Sequence, residues 1–117
     1  MSTPANVMIA IVALLHAYFL VLEMFLWDTP FGQRVFKSTP EYAKASKILA
    51  ANQGLYNGFL AAGLAWGLAM GDEGLHVKIF FLACVIVAGV FGAATANRNI
   101  LFVQAIPGIL ALALLLG

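Results

Sequence analysis

Residues 5–27 read ANVMIAIVALLHAYFLVLEMFLW, an apolar run that contains a single charged side chain, Glu23. A helix rises about 1.5 Å per residue, so a run of this length crosses the roughly 30 Å hydrocarbon core of a bilayer. A carboxyl group at such depth is costly unless it is paired, protonated or hydrated. The run therefore predicts a membrane helix in which Glu23 is either part of a functional site or a buried structural contact.

The rest of the chain is similarly apolar. Hydrophobic residues make up 63% of the 117 residues and charged residues 9%, and the mean hydropathy is +0.99, which is more apolar surface than a small soluble domain can cover. We therefore predict an all-α fold, a four-helix transmembrane bundle that forms a single integral membrane domain over residues 1–117. Its helices are expected at about 5–27, 40–70, 76–96 and 100–116.

The predicted first loop has local signals of its own. Phe31, Val35 and Phe36 alternate with basic residues, a pattern typical of an interfacial segment that lies in the headgroup layer. Thr39 followed by Pro40 then predicts a helix start, with Thr39 as the N-cap and Pro40 in the first turn. The second helix is therefore expected to begin before the membrane and to continue into it.

The basic residues are divided unevenly between the two predicted sides. Five of the six lie in the first loop or, in the case of Arg98, in the third turn, and Lys78 is the sixth. The positive-inside rule then places the first and third loops in the cytoplasm and both termini outside it.

Polar side chains concentrate in the half of the predicted bundle that faces the cytoplasm. His16, Glu23 and Trp27 fall on one stripe of the first helix, and Gln53 and Asn57 share a face of the second. So many amides near an acid exceed what interhelical contacts require, and they favour a hydrated cleft. The predicted ligand-binding residues are His16, Glu23, Trp27, Asn52, Gln53, Tyr56, Asn57, Arg98 and Gln104.

Three stretches together resemble a family of small bacterial membrane proteins known as a domain of unknown function. They are Glu23–Trp27 with His16 before it, the motif Asn52–Ala61, which reads NQGLYNGFLA, and Val103–Pro107. The resemblance covers nearly the whole chain and implies four spans and a bacterial inner (plasma) membrane location. It implies no activity and no catalytic residue.

Three roles remain open at this point. The preferred one is the binding or transport of a small molecule in a polar cleft open to the cytoplasmic half. The second is a structural or partner membrane subunit with a buried Glu23–Arg98 ion pair. The third is a membrane-embedded enzyme acting on a lipid-like substrate, with Glu23 or His16 as general acid or base.

Partners and cofactors are constrained by composition. A net charge of +1 argues against nucleic acid as a partner. His16 and Glu23 alone are too few ligands for a metal site within one chain, and no cofactor motif is present, so neither a metal nor a cofactor is predicted. The expected partners are the lipid bilayer, a small-molecule or lipid ligand and, because so small a bundle leaves much of each helix facing lipid, a second copy in a homodimer.

Overall fold

The computed structural model describes residues 3–96 and 99–117, and within them every regular element is helical. Four helices precede a short 3₁₀ turn at Gly71–Gly74, and two helices and one π-helical segment follow it. The α-helices are α1 (Thr3–Phe25), α2 (Pro30–Phe36), α3 (Pro40–Ala45), α4 (Lys47–Ala69), α5 (Leu75–Thr95) and α6 (Ile106–Leu116), and the π-helical segment is Leu101–Ala105. The predicted all-α class is confirmed.

Two of these segments are long and apolar enough to cross a membrane, Thr3–Phe25 and Gly71–Thr95. α4 has the length but carries Asn52, Gln53 and Asn57, and these amides lower its hydropathy. The apolar stretch Phe102–Leu116 is shorter than a typical span. Membrane capability thus holds for two segments by length and composition, and four spans remain a prediction.

The chain divides into two compact units, and the boundary falls inside α1 and inside α4. The first unit combines the chain up to Leu14 with the chain from Leu60 onward. Its core is made of fully buried aliphatic side chains from α1, α4, α5 and α6, namely Ile9, Val12, Leu64, Leu82, Val85 and Ala111. Small residues allow helices to approach in this unit: a Cβ added to Gly89 would lie 2.6 Å from the backbone nitrogen of Ala105.

The last predicted helix begins with a π-helical segment. Pro107 lies in the first turn of α6, directly after Leu101–Ala105. Proline has no N–H to donate, and its ring displaces the carbonyl of the residue four positions earlier, here Val103. A widened π turn at that position accommodates the displaced carbonyl.

The second unit is Leu15–Phe59, in which the end of α1 packs on the start of α4. A Cβ added to Gly54 would lie 2.7 Å from Met24 Cγ and 3.2 Å from the Leu20 carbonyl oxygen, and one added to Gly58 would lie 2.6 Å from Leu20 Cδ1. The two glycines therefore allow α4 to approach α1 within the same chain, as GxxxG pairs do in membrane helices.

Two short helices form the connection between α1 and α4. Thr39 caps α3 as the sequence predicts, because its Oγ1 accepts a hydrogen bond from the Tyr42 N–H at 3.1 Å and Pro40 occupies the first turn. The predicted helix over 40–70 is interrupted at Ser46, whose Oγ donates to the Tyr42 carbonyl at 2.6 Å. The Ser46 N–H also donates to the Tyr42 carbonyl at 3.0 Å, and the backbone leaves the helical region at this residue, with φ −101° and ψ 6°.

Candidate functional site

The centre of the candidate site is a hydrogen bond between two helices of the second unit. The side-chain amide of Asn57 on α4 donates to Glu23 Oε1 on α1, across 34 residues of sequence. Asn57 is buried, with 6% of its surface exposed, whereas Glu23 is half-buried. A buried donor thus holds a carboxyl group that keeps some access from outside the protein.

Gly54 explains why this pair forms. It lies one turn before Asn57 on α4, and a Cβ there would sit 3.1 Å from Glu23 Cβ. Without that Cβ the two helices come close enough for the short asparagine side chain to span the gap. The same amide on a more distant helix would not reach the carboxyl group.

His16 and Trp27, which the sequence places on the same stripe as Glu23, differ in burial. His16 is fully buried, and its ring makes an edge contact with Phe19 at 5.5 Å between centroids. Trp27 donates from Nε1 to Ser46 Oγ at 3.1 Å, and its ring lies 4.7 Å from that of Phe36. Trp27 therefore joins the end of α1 to α2 and to the start of α4. A ligand-binding role for His16 or Trp27 remains a prediction.

The other amides of the motif lie on the exposed side of α4. Asn52 donates from Nδ2 to the Ile48 carbonyl of its own helix at 2.9 Å. Gln53 is exposed, and Tyr56 keeps 53% of its surface exposed while its ring lies 6.1 Å from that of Phe59. Within the second unit the structure joins Glu23 to Asn57, whereas Asn52, Gln53 and Tyr56 are exposed.

Two predicted site residues belong to the rest of the chain. Gln104 is half-buried in the π-helical segment of the first unit. Arg98 lies outside the described residues, as does the predicted Glu23–Arg98 ion pair. Both residues stay as predictions.

Lys78 is a buried polar residue whose importance the sequence analysis missed. It is fully buried on α5, and its Nζ donates to Asn6 Oδ1 at 3.0 Å and to the Gly71 carbonyl at 3.3 Å. In the sequence it counted only as the sixth basic residue. A lysine in the first turn of an apolar helix, with Asn6 as the polar residue of another apolar run, is the signal that could have found the pair.

Residues suited to binding a metal do not gather within residues 3–96 and 99–117. No three histidine, cysteine, aspartate or glutamate side chains there lie close enough to hold an ion. The contacts found at Glu23 are instead those of a hydrogen-bonding site. A carboxylate and a primary amide can bind a ligand that carries N–H or O–H groups or a positive charge.

Comparison with known proteins adds a family and no activity. A family model described as a protein of unknown function, DUF1304, matches residues 10–116. The chain is 32% identical over 104 residues to the uncharacterized protein YpaA of Lactococcus lactis, and the match covers 87% of each chain. No solved structure is significantly similar.

Proposed function

Because the chain belongs to the DUF1304 family, whose function is unknown, we propose its role from the site itself. It is a multi-pass protein of the bacterial inner membrane that binds or transports a small molecule at the Glu23–Asn57 pair. The observation that carries this role is the hydrogen bond from a buried asparagine to a half-buried glutamate on a neighbouring helix. Acidic residues within membrane helices most often mark a ligand or ion pathway.

The membrane arrangement is part of the proposal. Two segments are apolar and long enough to span, and α4 and the final apolar stretch supply the other two crossings. α4 carries its amides on the half that follows the first loop, which is the cytoplasmic half if the basic loop lies inside. Both termini then lie on the outer side, and Glu23 opens towards the cytoplasm.

The chemistry of the pair favours a cationic or hydrogen-bond-donating ligand. Asn57 occupies one of the roughly four acceptor positions of the Glu23 carboxylate. The remaining carboxylate positions and the Asn57 carbonyl oxygen are acceptors, so the pair offers negative charge and lone pairs to a ligand. An organic ammonium ion both carries positive charge and donates hydrogen bonds to these lone pairs. A neutral alcohol of the same shape only donates a hydrogen bond.

Benzylammonium and benzyl alcohol form a matched pair of probes for this site. Purified full-length protein in detergent is heated with each compound, and the unfolding midpoint is recorded. A ligand at ten times its Kd stabilises the folded state by about 1.4 kcal/mol, so benzylammonium should raise the midpoint by a few degrees and benzyl alcohol by less. Glu23→Gln should abolish the response, whereas Glu73→Gln, at an exposed acid of the 3₁₀ turn, should keep it.

A structural role is the second candidate, and the packing around Gly54 favours it. The asparagine amide already satisfies part of the carboxyl group within the chain, and the two glycines join α1 to α4. If the pair serves only to hold helices, the double replacement Glu23→Met with Asn57→Leu should keep or raise stability, as apolar replacements of buried polar pairs often do. The wild-type protein should then show equal responses to the two probes, which would rule out the cation site.

A further inference from the structure

The connection between α1 and α4 presents a surface in which basic and large apolar side chains are exposed together. We refer to it as the loop surface. Its members belong to α2, α3 and the turn between them, and all lie in the second unit. They are Phe31, Arg34, Val35, Lys37, Tyr42 and Lys44.

The packing of α2 directs its apolar side outwards. Gly32 is buried so tightly against the end of α1 that an added Cβ would collide with the Leu26 carbonyl oxygen, at 1.9 Å, and Phe36 packs on Trp27. Phe31 and Val35, four residues apart, lie on the adjacent face of α2, centred about 100° around the helix axis from Gly32 and Phe36, and remain 43% and 42% exposed. Because contacts within the protein fix the rotation of α2, the exposed apolar area is a fixed feature of the loop surface.

The same segment of the chain carries positive charge. Residues 28–47 hold four basic residues and two acidic ones, Asp28 and Glu41, and Asp28 is occupied by an ion pair with Lys47 at 3.4 Å. Arg34 extends over the Phe31 ring, with its guanidinium carbon 5.8 Å from the ring centroid. A base held over an aromatic ring is positioned where a headgroup phosphate and the upper acyl chain would meet.

We propose that the loop surface binds anionic phospholipid, with Arg34, Lys37 and Lys44 on the phosphates and Phe31, Val35 and Tyr42 in the upper acyl region. An arginine fork pairs with phosphate through two hydrogen bonds, and lysines add positive charge. Exposed apolar side chains next to bases are unfavourable in water and favourable at the bilayer interface. This inference uses none of the residues of the Glu23–Asn57 pair and does not depend on the proposed ligand.

Tryptophan quenching by brominated lipids tests the proposal in the full chain. The chain has two tryptophans, and Trp66 is 58% exposed on α4, so Trp66→Phe leaves Trp27 as the reporter next to α2. The protein is reconstituted with mixtures of phosphatidylcholine and phosphatidylglycerol in which one lipid at a time is brominated. Each base near a membrane surface contributes about fivefold in binding, so phosphatidylglycerol should quench Trp27 with at least a fivefold higher relative binding constant.

Charge-removing and charge-keeping variants form the matched pair. The triple replacement Arg34→Gln, Lys37→Gln and Lys44→Gln should bring the two lipids to nearly equal binding constants, and 0.5 M salt (about a 4 Å screening length) should weaken the preference similarly. Arg34→Lys with Lys37→Arg should keep most of it. Size-exclusion profiles check that each variant is folded, as expected for exposed positions. Equal quenching by both lipids in the wild type, or an unchanged preference in the triple variant, would overturn the proposal.

Discussion

Lys78 Nζ lies 3.0 Å from Asn6 Oδ1, so a hydrogen bond joins residues that are 72 positions apart in the sequence. The lysine stem also packs on α4, because a Cβ added to Gly67 would lie 2.8 Å from Lys78 Cγ. One fully buried side chain therefore connects the first turns of α1, the 3₁₀ turn through Gly71, and the end of α4.

Replacing both partners of this pair should cost less stability than the two single replacements added together. Asn6→Leu removes an acceptor from a buried ammonium group, and the expected cost is about 1–3 kcal/mol or more. Lys78→Met leaves Asn6 without its donor. In the double variant neither polar group remains, so its loss of stability should be smaller than the sum of the single losses. Unfolding in detergent followed by circular dichroism measures the coupling, and additive losses would contradict the role assigned to Lys78.

Gly89→Ala should be destabilising even though alanine is the better helix former. The added Cβ would lie 2.6 Å from the backbone nitrogen of the buried Ala105. Backbone cannot move aside as a flexible side chain can, so we expect a cost of about 1–3 kcal/mol from overpacking. Ala88→Leu, at the exposed neighbouring position, serves as the control and should change stability little. The free energy of unfolding of each variant is compared with that of the wild type. A stabilised Gly89→Ala variant would show that α5 and the π-helical segment are not in close contact.

Trp27 and Ser46 should be energetically coupled. Trp27→Phe keeps an aromatic ring against Phe36 but loses the Nε1 donor, and Ser46→Ala loses the acceptor. Each change should cost about 0.5–1.5 kcal/mol, and the double variant should lose less than the sum. Limited proteolysis of the connection between α1 and α4 gives a second measure, since freeing this anchor should speed cleavage there. A double-mutant cycle with no coupling would contradict the contact.

Thr39→Ala should open the start of α3. The Thr39 Oγ1 accepts from the Tyr42 amide, and loss of an N-cap costs about 1 kcal/mol. Hydrogen exchange at Tyr42 should therefore accelerate about fivefold, while Thr39→Ser, which keeps the acceptor, should leave it near the wild-type rate. Exchange that is equally fast in the wild type and in Thr39→Ala would mean that the cap does not protect this turn.

Much of the helical structure could be predicted because its signals are local. The Thr39–Pro40 start depends on neighbouring residues, and the long apolar runs indicate helices whatever lies next to them. The interruption at Ser46 was not predicted, because the neighbouring residues contain no glycine or proline that would indicate a helix end there. The π-helical segment Leu101–Ala105 lies inside the helix predicted over 100–116, and the sequence analysis did not distinguish it from α-helix.

The sequence indicated which polar residues belong to the candidate site, but it did not indicate which of them contact each other. The motif at residues 52–57 indicated polar function, and the spacing placed Gln53 and Asn57 on one face. Of its amides, Asn57 is the one that bonds Glu23, whereas Asn52 bonds its own helix. The difference depends on how α4 is rotated about its axis, and a helix that is apolar on nearly every side has little amphipathic pattern to indicate that rotation.

Residue order alone thus established the all-α class, the apolar runs and the cap at Thr39, since each arises from interactions within a few positions of the chain. The tertiary structure selected the partners of the buried polar groups, Asn57 for Glu23 and Asn6 for Lys78. The physical reason is close packing: glycines at positions 54 and 67 allow neighbouring helices to approach, and that approach decides which distant side chains can reach each other.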